Sequence, residues 1–324
     1  MMDRVHPELA PGLQAFMAVS NGGIDITDLP AMREAMAAMG EATRAGLPDV
    51  PGIVTSDHHV PGYEGDPDVL VRVYVPEDVA DPRPGLVWIH GGGYVLGDVE
   101  GDDFRCRELA QSCGCVVASV DYRLAPETPH PGPLHDCYAA LVWFAEQASE
   151  FGVDPARIAI GGASAGGGLA AGLGLLARDR GEVPVAYQLL IYPMIDDRNV
   201  APASDTLTDT LVWNRESNLI GWRSLLGQEP GAEGVSMYAA ASRAADLSGL
   251  PPTYICVGDI DLFAVEDIDY AQRLVAAGVP TELHVYPGAY HAFDSFGAGT
   301  RVVDQFMRDR NQALCAALGA EPAG

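Results

Sequence analysis

Arg157-Ile158-Ala159-Ile160-Gly161-Gly162-Ala163-Ser164-Ala165-Gly166 is the stretch on which the fold is read. Its first residues form a short apolar run of the kind that fills a buried strand. Small residues follow, and they open a helix that runs to Arg178. A strand-to-helix turn this tight crowds the backbone, so glycines must flank the serine, and its hydroxyl is pushed up out of the sheet. The helix N-terminus beneath it brings partial positive charge to the place where an oxyanion would form. A small-residue turn that merely packs a helix on a sheet has a similar composition. The strand before Gly162-Ala163-Ser164-Ala165-Gly166 and the helix after it favour the catalytic reading.

Outward from this turn, strands alternate with helices from about residue 68. Val69–Val75, Leu86–His90, Val116–Val120, Ala186–Tyr192, Thr253–Val257 and Thr281–Tyr286 read as strands. Phe104–Ser112, Asp136–Ala148, Phe263–Ala277 and Val302–Leu318 read as helices between or after them. Such alternation predicts an α/β fold with a mostly parallel sheet covered on both faces. Pro48–Gly65 reads as loop with one edge strand at most. Two segments break the rhythm. Residues 1–48 place Leu13, Phe16, Met17, Met32, Met36 and Met39 at helical spacing, broken near Gly22-Gly23 and Pro30, which fits two short helices. Asp196–Pro230 has no strand signal but carries Trp213, Leu219, Ile220, Trp222, Leu225 and Leu226. An apolar helical segment between two strands must lie over something, and both segments are candidate lids.

His90-Gly91-Gly92-Gly93-Tyr94 follows the strand Leu86–Ile89 directly. Three glycines let the backbone approach a ligand and turn N–H groups toward it, the composition of an oxyanion loop. A phosphate cradle would want a lysine or a G-x-G-x-x-G spacing, and neither is present. His90 reads as structural, orienting the loop. A serine nucleophile needs a base oriented by a carboxylate. Of the eight histidines, six precede Ser164 and His284 falls mid-strand. Only His291 lies in a loop beyond a late strand, just before the last helix. The strand Thr253–Val257 ends in Gly258-Asp259-Ile260-Asp261, with Glu266 and Asp267 inside the next helix pattern. Asp261 is favoured as the carboxylate, because Leu262-Phe263 behind it can anchor and bury it. Asp259 is its nearest rival. Asp121–Glu127, reading DYRLAPE, suggests a loop locked by buried ion pairs and structural support rather than chemistry.

Composition narrows the partners. Asp and Glu number 45 against 19 Lys plus Arg, a net charge of −26, which leaves little for a nucleic-acid or anionic-membrane face. All the cations are Arg, which excludes Schiff-base, pyridoxal-phosphate and P-loop lysine chemistry. The acidity fits salt adaptation or a GC-rich coding sequence. The complete loss of Lys without an acidic tail favours the second. The first residues, MMDRVHPELAPG, lack a basic start and an apolar core, so no signal peptide is expected. Cys115, Cys137, Cys256 and Cys315 sit in apolar patterns and read as reduced core residues of a cytoplasmic protein; Cys113-x-Cys115 is a weak metal signal.

The chain resembles the hormone-sensitive-lipase branch of the α/β-hydrolases, the bacterial family IV carboxylesterases. The matching segments are HGGGY at His90–Tyr94, DYRLAPE at Asp121–Glu127, GASAGG at Gly162–Gly167, GLPPTY at Gly249–Tyr254, G-x-x-D…YA at Gly258–Ala271 and YHAF at Tyr290–Phe293. The resemblance implies an N-terminal helical cap at 1–48. It implies a catalytic domain at 49–324 with cap material inserted at about 196–230. It also implies short- to medium-chain ester hydrolysis without metal or cofactor, on a small-molecule substrate, and a homodimer. The roles expected are Ser164 nucleophile, His291 base, Asp261 orienting carboxylate, and an oxyanion hole of Gly92, Gly93 and Ala165, with Gly91 the lesser donor. Tyr94, Trp213, Trp222 and Phe16 are the candidate substrate contacts; ordinary cap core is the competing reading of these aromatics. Two departures stand out: Ala163 where the family often has Asp, and Ala292 where it usually has Gly. An amide hydrolase such as an arylformamidase would share fold and triad. A non-catalytic receptor on this fold would typically lack the histidine that is present at 291.

Overall fold

The computed structural model describes residues 1–20, 24–44, 50–77, 79–80, 82–201 and 211–320. The expected domain boundary at residue 48 and part of the expected insertion, residues 202–210, lie outside them.

Among the described residues one sheet of eight strands runs β1 (Ile53–Val60), β2 (Val69–Pro76), β4 (Val116–Asp121), β3 (Arg83–Ile89), β5 (Val153–Ala163), β6 (Tyr187–Ile191), β7 (Thr253–Gly258) and β8 (Thr281–Tyr286) across its width. Both pairings of β2 are antiparallel and all the others are parallel. The near-continuous apolar runs of β3 to β7 follow from burial on both faces. In β3, Leu86 and Trp88 pack with α3 (Asp103–Cys113), α9 (Arg301–Leu318) and Leu13 and Phe16 of α1 (Ala10–Val19). Val87 and Ile89 point the other way, into a core made with α4 (Gly132–Glu146), α5 (Ala165–Arg180) and α7 (Ala264–Ala276). The period-two alternation of one strand thus feeds two separate cores.

Helix α5 lies beneath the sheet's centre with unusually little side-chain bulk. A Cβ on its Gly168 would sit 2.1 Å from the Met194 carbonyl oxygen, and one on Gly174 would sit 2.1 Å from Gln188 Oε1. At Gly168 the obstacle is backbone, so glycine is required for the approach despite its poor helix propensity; at Gly174 the Gln188 side chain would have to move aside.

The structure extends several sequence-based boundaries. β1 is a full edge strand of eight residues, paired from Ile53↔Pro76 to Val60↔Val69, inside a segment whose Pro, Gly and Asp content reads as loop. Its β-branched residues alternate between faces, which is enough for an edge. β5 starts at Val153, and a register shift against β3 between Arg83 and Gly85 absorbs three extra residues of β5 in the stretch Asp154–Arg157. Helix α4 starts at Gly132, because Pro133 in the first turn costs no hydrogen bond. The six cysteines are all buried and unpaired.

The DYRLAPE loop is corrected in detail. Its ionic groups are held from outside the run, and only one of these pairs has a buried partner. Arg123 grips the fully buried Asp136 at 2.7 Å and also reaches Asp66 at 2.9 Å. Glu127 pairs with Arg33 of α2 (Leu29–Arg44) near the surface. Asp121 accepts a long bond from the Val99 N–H, at 3.3 Å.

Candidate active site

β5 delivers Ser164 at its C-terminal end, and α5 begins with the next residue. Ser164 has φ 58 and ψ −121, a conformation a side chain adopts only when the surroundings force it. Its N–H donates to the Ile191 carbonyl at 2.9 Å, and its own carbonyl accepts from Gly168 and Met194. A Cβ on Gly166 would lie 2.1 Å from the Ile89 carbonyl oxygen, so the turn closes only with glycine there.

His291 follows β8 and faces this turn. Ser164 Oγ lies 2.9 Å from His291 Nε2, and His291 Nδ1 lies 2.9 Å from Asp261 Oδ2. A carboxylate at Nδ1 fixes the ring proton there and leaves the Nε2 lone pair to accept from the serine hydroxyl. Asp261 Oδ1 accepts the Phe263 N–H at 3.0 Å, which locks the carboxylate's orientation. All three residues are buried, Asp261 to 1% exposure. The imidazole is held edge-on by Tyr192 at 4.9 Å and by Phe263 at 5.1 Å between ring centroids. Tyr192 is in turn tied by its hydroxyl to Asp294 at 2.7 Å. Phe263 was legible as an anchor behind Asp261. Tyr192 was not, because its contact depends on a positive φ at the end of β6.

The rival carboxylates point elsewhere. Asp259 Oδ1 accepts the Gly288 N–H at 2.6 Å, and its side chain is 41% exposed. Glu266 accepts the N–H groups of Ile195 and Asp196, and burial pushes its carboxyl up to about 8. Asp267 is buried and has no hydrogen-bond partner among the described residues, and burial raises its carboxyl well above the usual range.

His90 Nδ1 is 2.8 Å from the Gly91 carbonyl, and its ring stacks on Tyr122 at 4.2 Å, consistent with a part in shaping the loop. Gly91 lies against the Ser164 turn; a Cβ built there would be 3.5 Å from Ser164 Cβ. The Gly92 carbonyl accepts from Val95 and Leu96 at 3.1 and 2.9 Å. No described residue accepts from the N–H of Gly92, Gly93 or Ala165. Gly93 has φ +61, and a Cβ on it would strike the Trp213 ring at 2.1 Å.

The candidate substrate contacts separate into different settings. Trp213, just before α6 (Arg215–Leu226), covers Gly93, and its Nε1 donates to Asn218 Oδ1 at 3.3 Å. Tyr94 and Trp222 are fully buried against each other at 5.2 Å, and the Tyr94 hydroxyl donates to the Met194 carbonyl. Phe16 meets Phe296 of α8 (Phe293–Phe296), the short helix that follows His291, with ring centroids 4.2 Å apart and the planes tilted by 32°. Among the described residues no group of three or more His, Cys, Asp or Glu could hold a metal ion, and no helix is long and apolar enough to cross a membrane.

Ala292 has φ 58 and ψ 30, the left-handed region, at the position where the resembled family usually has Gly. Left-handed backbone costs a non-glycine residue about 1–2 kcal/mol, of which glycine's extra unfolded-state entropy returns about 0.4–1. Ala292→Gly is therefore expected to raise Tm by roughly 1–3 °C. A thermal melt beside wild type checks this, and an unchanged or lower Tm would show that the strain is relieved some other way.

A sequence profile of the alpha/beta hydrolase fold matches residues 86–295. Carboxylesterase NlhH of Mycobacterium tuberculosis is 39% identical over 237 residues, covering 72% of this chain and 74% of that protein. Esterase LipI of the same species is 34% identical over 290 residues, 85% and 87% of the two chains. The solved structure named bacterial heroin esterase superposes with a TM-score of 0.92 at 42% identity, over 98% of this chain and 99% of that one.

Proposed function

We propose, from the premise that this chain belongs to the alpha/beta-hydrolase family, in its hormone-sensitive-lipase-like branch, that it is a serine carboxylesterase working through an acyl-enzyme on Ser164. The observation that carries this reading is the line of two 2.9 Å contacts from Ser164 Oγ through His291 to the buried Asp261.

In this reading His291 Nε2 takes the hydroxyl proton as Ser164 Oγ attacks the ester carbonyl. The N–H groups of Gly92, Gly93 and Ala165 receive the negative oxygen, their donors still free for it. Collapse of the tetrahedral adduct breaks the bond to the alcohol, which leaves with the proton from His291. Water then attacks the acyl-enzyme by the same steps in reverse, and releases the acid. Asp261 keeps the imidazole in the right tautomer and stabilises the transient imidazolium. The helices of residues 1–48, with α6 and Trp213, are read as the cover on the substrate side. The six buried thiols suit a reducing compartment, the cytoplasm.

The test is kcat/KM over p-nitrophenyl esters from acetate to palmitate. We expect a maximum at short acyl chains and no interfacial activation, because Trp213 and the Phe16–Phe296 pair leave bulky rings close to the oxyanion loop and the His291 segment. A steep rate increase above the solubility limit of a long-chain ester would overturn the acyl-length reading. Absence of turnover on every ester, with turnover of a matching anilide, would replace ester by amide hydrolysis.

A further inference from the structure

Resting on the reading of Ser164 and the glycine loop just given, we propose that Arg33 is a positioning residue that aims and strengthens the Gly93 N–H through a chain of peptide groups. Arg33 stands on α2, outside every motif of the resembled family, yet its guanidinium makes four hydrogen bonds to distant parts of the chain. Nε donates to the Val95 carbonyl at 2.9 Å and Nη2 to the Ala125 carbonyl at 3.0 Å. Nη1 and Nη2 donate to the two Glu127 oxygens at 2.7 and 2.9 Å.

The Val95 bond is the first link. In a trans peptide the carbonyl and the following N–H point in opposite directions. The Val95 carbonyl shares its peptide plane with the Leu96 N–H, which donates to the Gly92 carbonyl at 2.9 Å. The Gly92 carbonyl shares its plane with the Gly93 N–H, one of the groups read as receiving the oxyanion. A cation thus sits at one end of a line that runs guanidinium, Val95–Leu96 peptide, Gly92–Gly93 peptide, and ends where negative charge develops. Each donation polarises the next group in the same sense, so the terminal N–H becomes a better donor. The line also fixes direction: with the Gly92 carbonyl held on one side, the Gly93 N–H must point to the other. A second strut joins the same assembly, since the Ala125 N–H donates to the Tyr94 carbonyl at 3.0 Å. Glu127 holds the guanidinium in place from the surface side. This gives the last residue of the DYRLAPE segment a purpose that its sequence alone does not suggest.

The experiment compares Arg33→Met, which keeps an apolar stem but loses the charge and donors, with Arg33→Lys and Glu127→Gln. Wild-type turnover of a short ester, and its loss in Ser164→Ala, stand or fall first and report on the proposed function by themselves. For Arg33→Met we expect kcat to fall roughly 10-fold or more with KM within about 3-fold, as for a misaimed transition-state donor. Affinity for a trifluoromethyl ketone, whose serine adduct carries the oxyanion, should fall by the same factor as kcat/KM. Arg33→Lys should not restore the rate, because a single ammonium cannot serve both carbonyls and the carboxylate. Glu127→Gln keeps the Arg33–Val95 bond and should lose less than about 3-fold. A merely structural role would lower Tm and leave kcat and ketone affinity unchanged at 25 °C; that result overturns the proposal. So does a Glu127→Gln loss as large as that of Arg33→Met, which would make the contact a simple latch.

Discussion

Ser164→Ala is expected to lower kcat by about 10⁴ to 10⁶ with the fold intact, because nucleophile and base act as one unit. The alanine removes the attacking oxygen and leaves the surroundings unchanged: the backbone that makes the sharp turn is set by Gly166 against Ile89 and by the Ile191 and Met194 bonds, none of which uses the hydroxyl. The left-handed strain at 164 remains with alanine, so stability should change little. His291→Ala should be about as damaging, and the double variant little worse than either. Steady-state kinetics of the three variants, with circular dichroism as the fold control, decide the matter. Losses that multiply would mean that the 2.9 Å contact between Oγ and Nε2 does not reflect joint action.

Asp261→Asn carries the second large effect, roughly 10⁴ in kcat. Its amide would still fit between the Phe263 N–H and the imidazole, but an amide NH₂ facing Nδ1 favours the tautomer with the proton on Nε2. That ring cannot accept the serine proton. Asp259→Asn should cost far less, since Asp259 caps the Gly288 N–H at a half-open site near Arg4. Kinetics of the two variants side by side test this. The reverse ranking would move the orienting role to Asp259.

The candidate site's main parts could be picked out in the sequence because each is local. The glycines around Ser164, the glycine run after His90 and the late loop of His291 each announce themselves within a few residues. The strand-helix alternation is equally local and gives the layered fold. What was not legible depends on partners far apart in sequence. Arg33 reaches across 62 residues to Val95 and 94 to Glu127, and no spacing rule links them. Asp136 looks like an ordinary helix carboxylate until the fold buries it against Arg123. The one edge strand allowed for in Pro48–Gly65 is β1, but its length was not legible, because the turn-forming residues around it outweigh its alternation. The aromatic candidates were chosen for size, and size does not distinguish Trp213 on the glycine loop from Trp222 inside the core.

The glycine-lined face of α5 bears on how this protein can evolve. Where a backbone carbonyl already fills the space a β-carbon would take, as at Gly166 and Gly168, a mutation has no graded outcome: alanine is nearly as unwelcome as tryptophan. The start of the helix behind Ser164 is therefore closed to gradual adjustment at these glycines. Substitutions that persist must accumulate above the sheet and on the acidic exterior, where side chains still have neighbours that can give way. A library aimed at new substrates would be spent best on Trp213 and the faces of α1 and α2, and would waste codons placed at Gly162, Gly166 and Gly168.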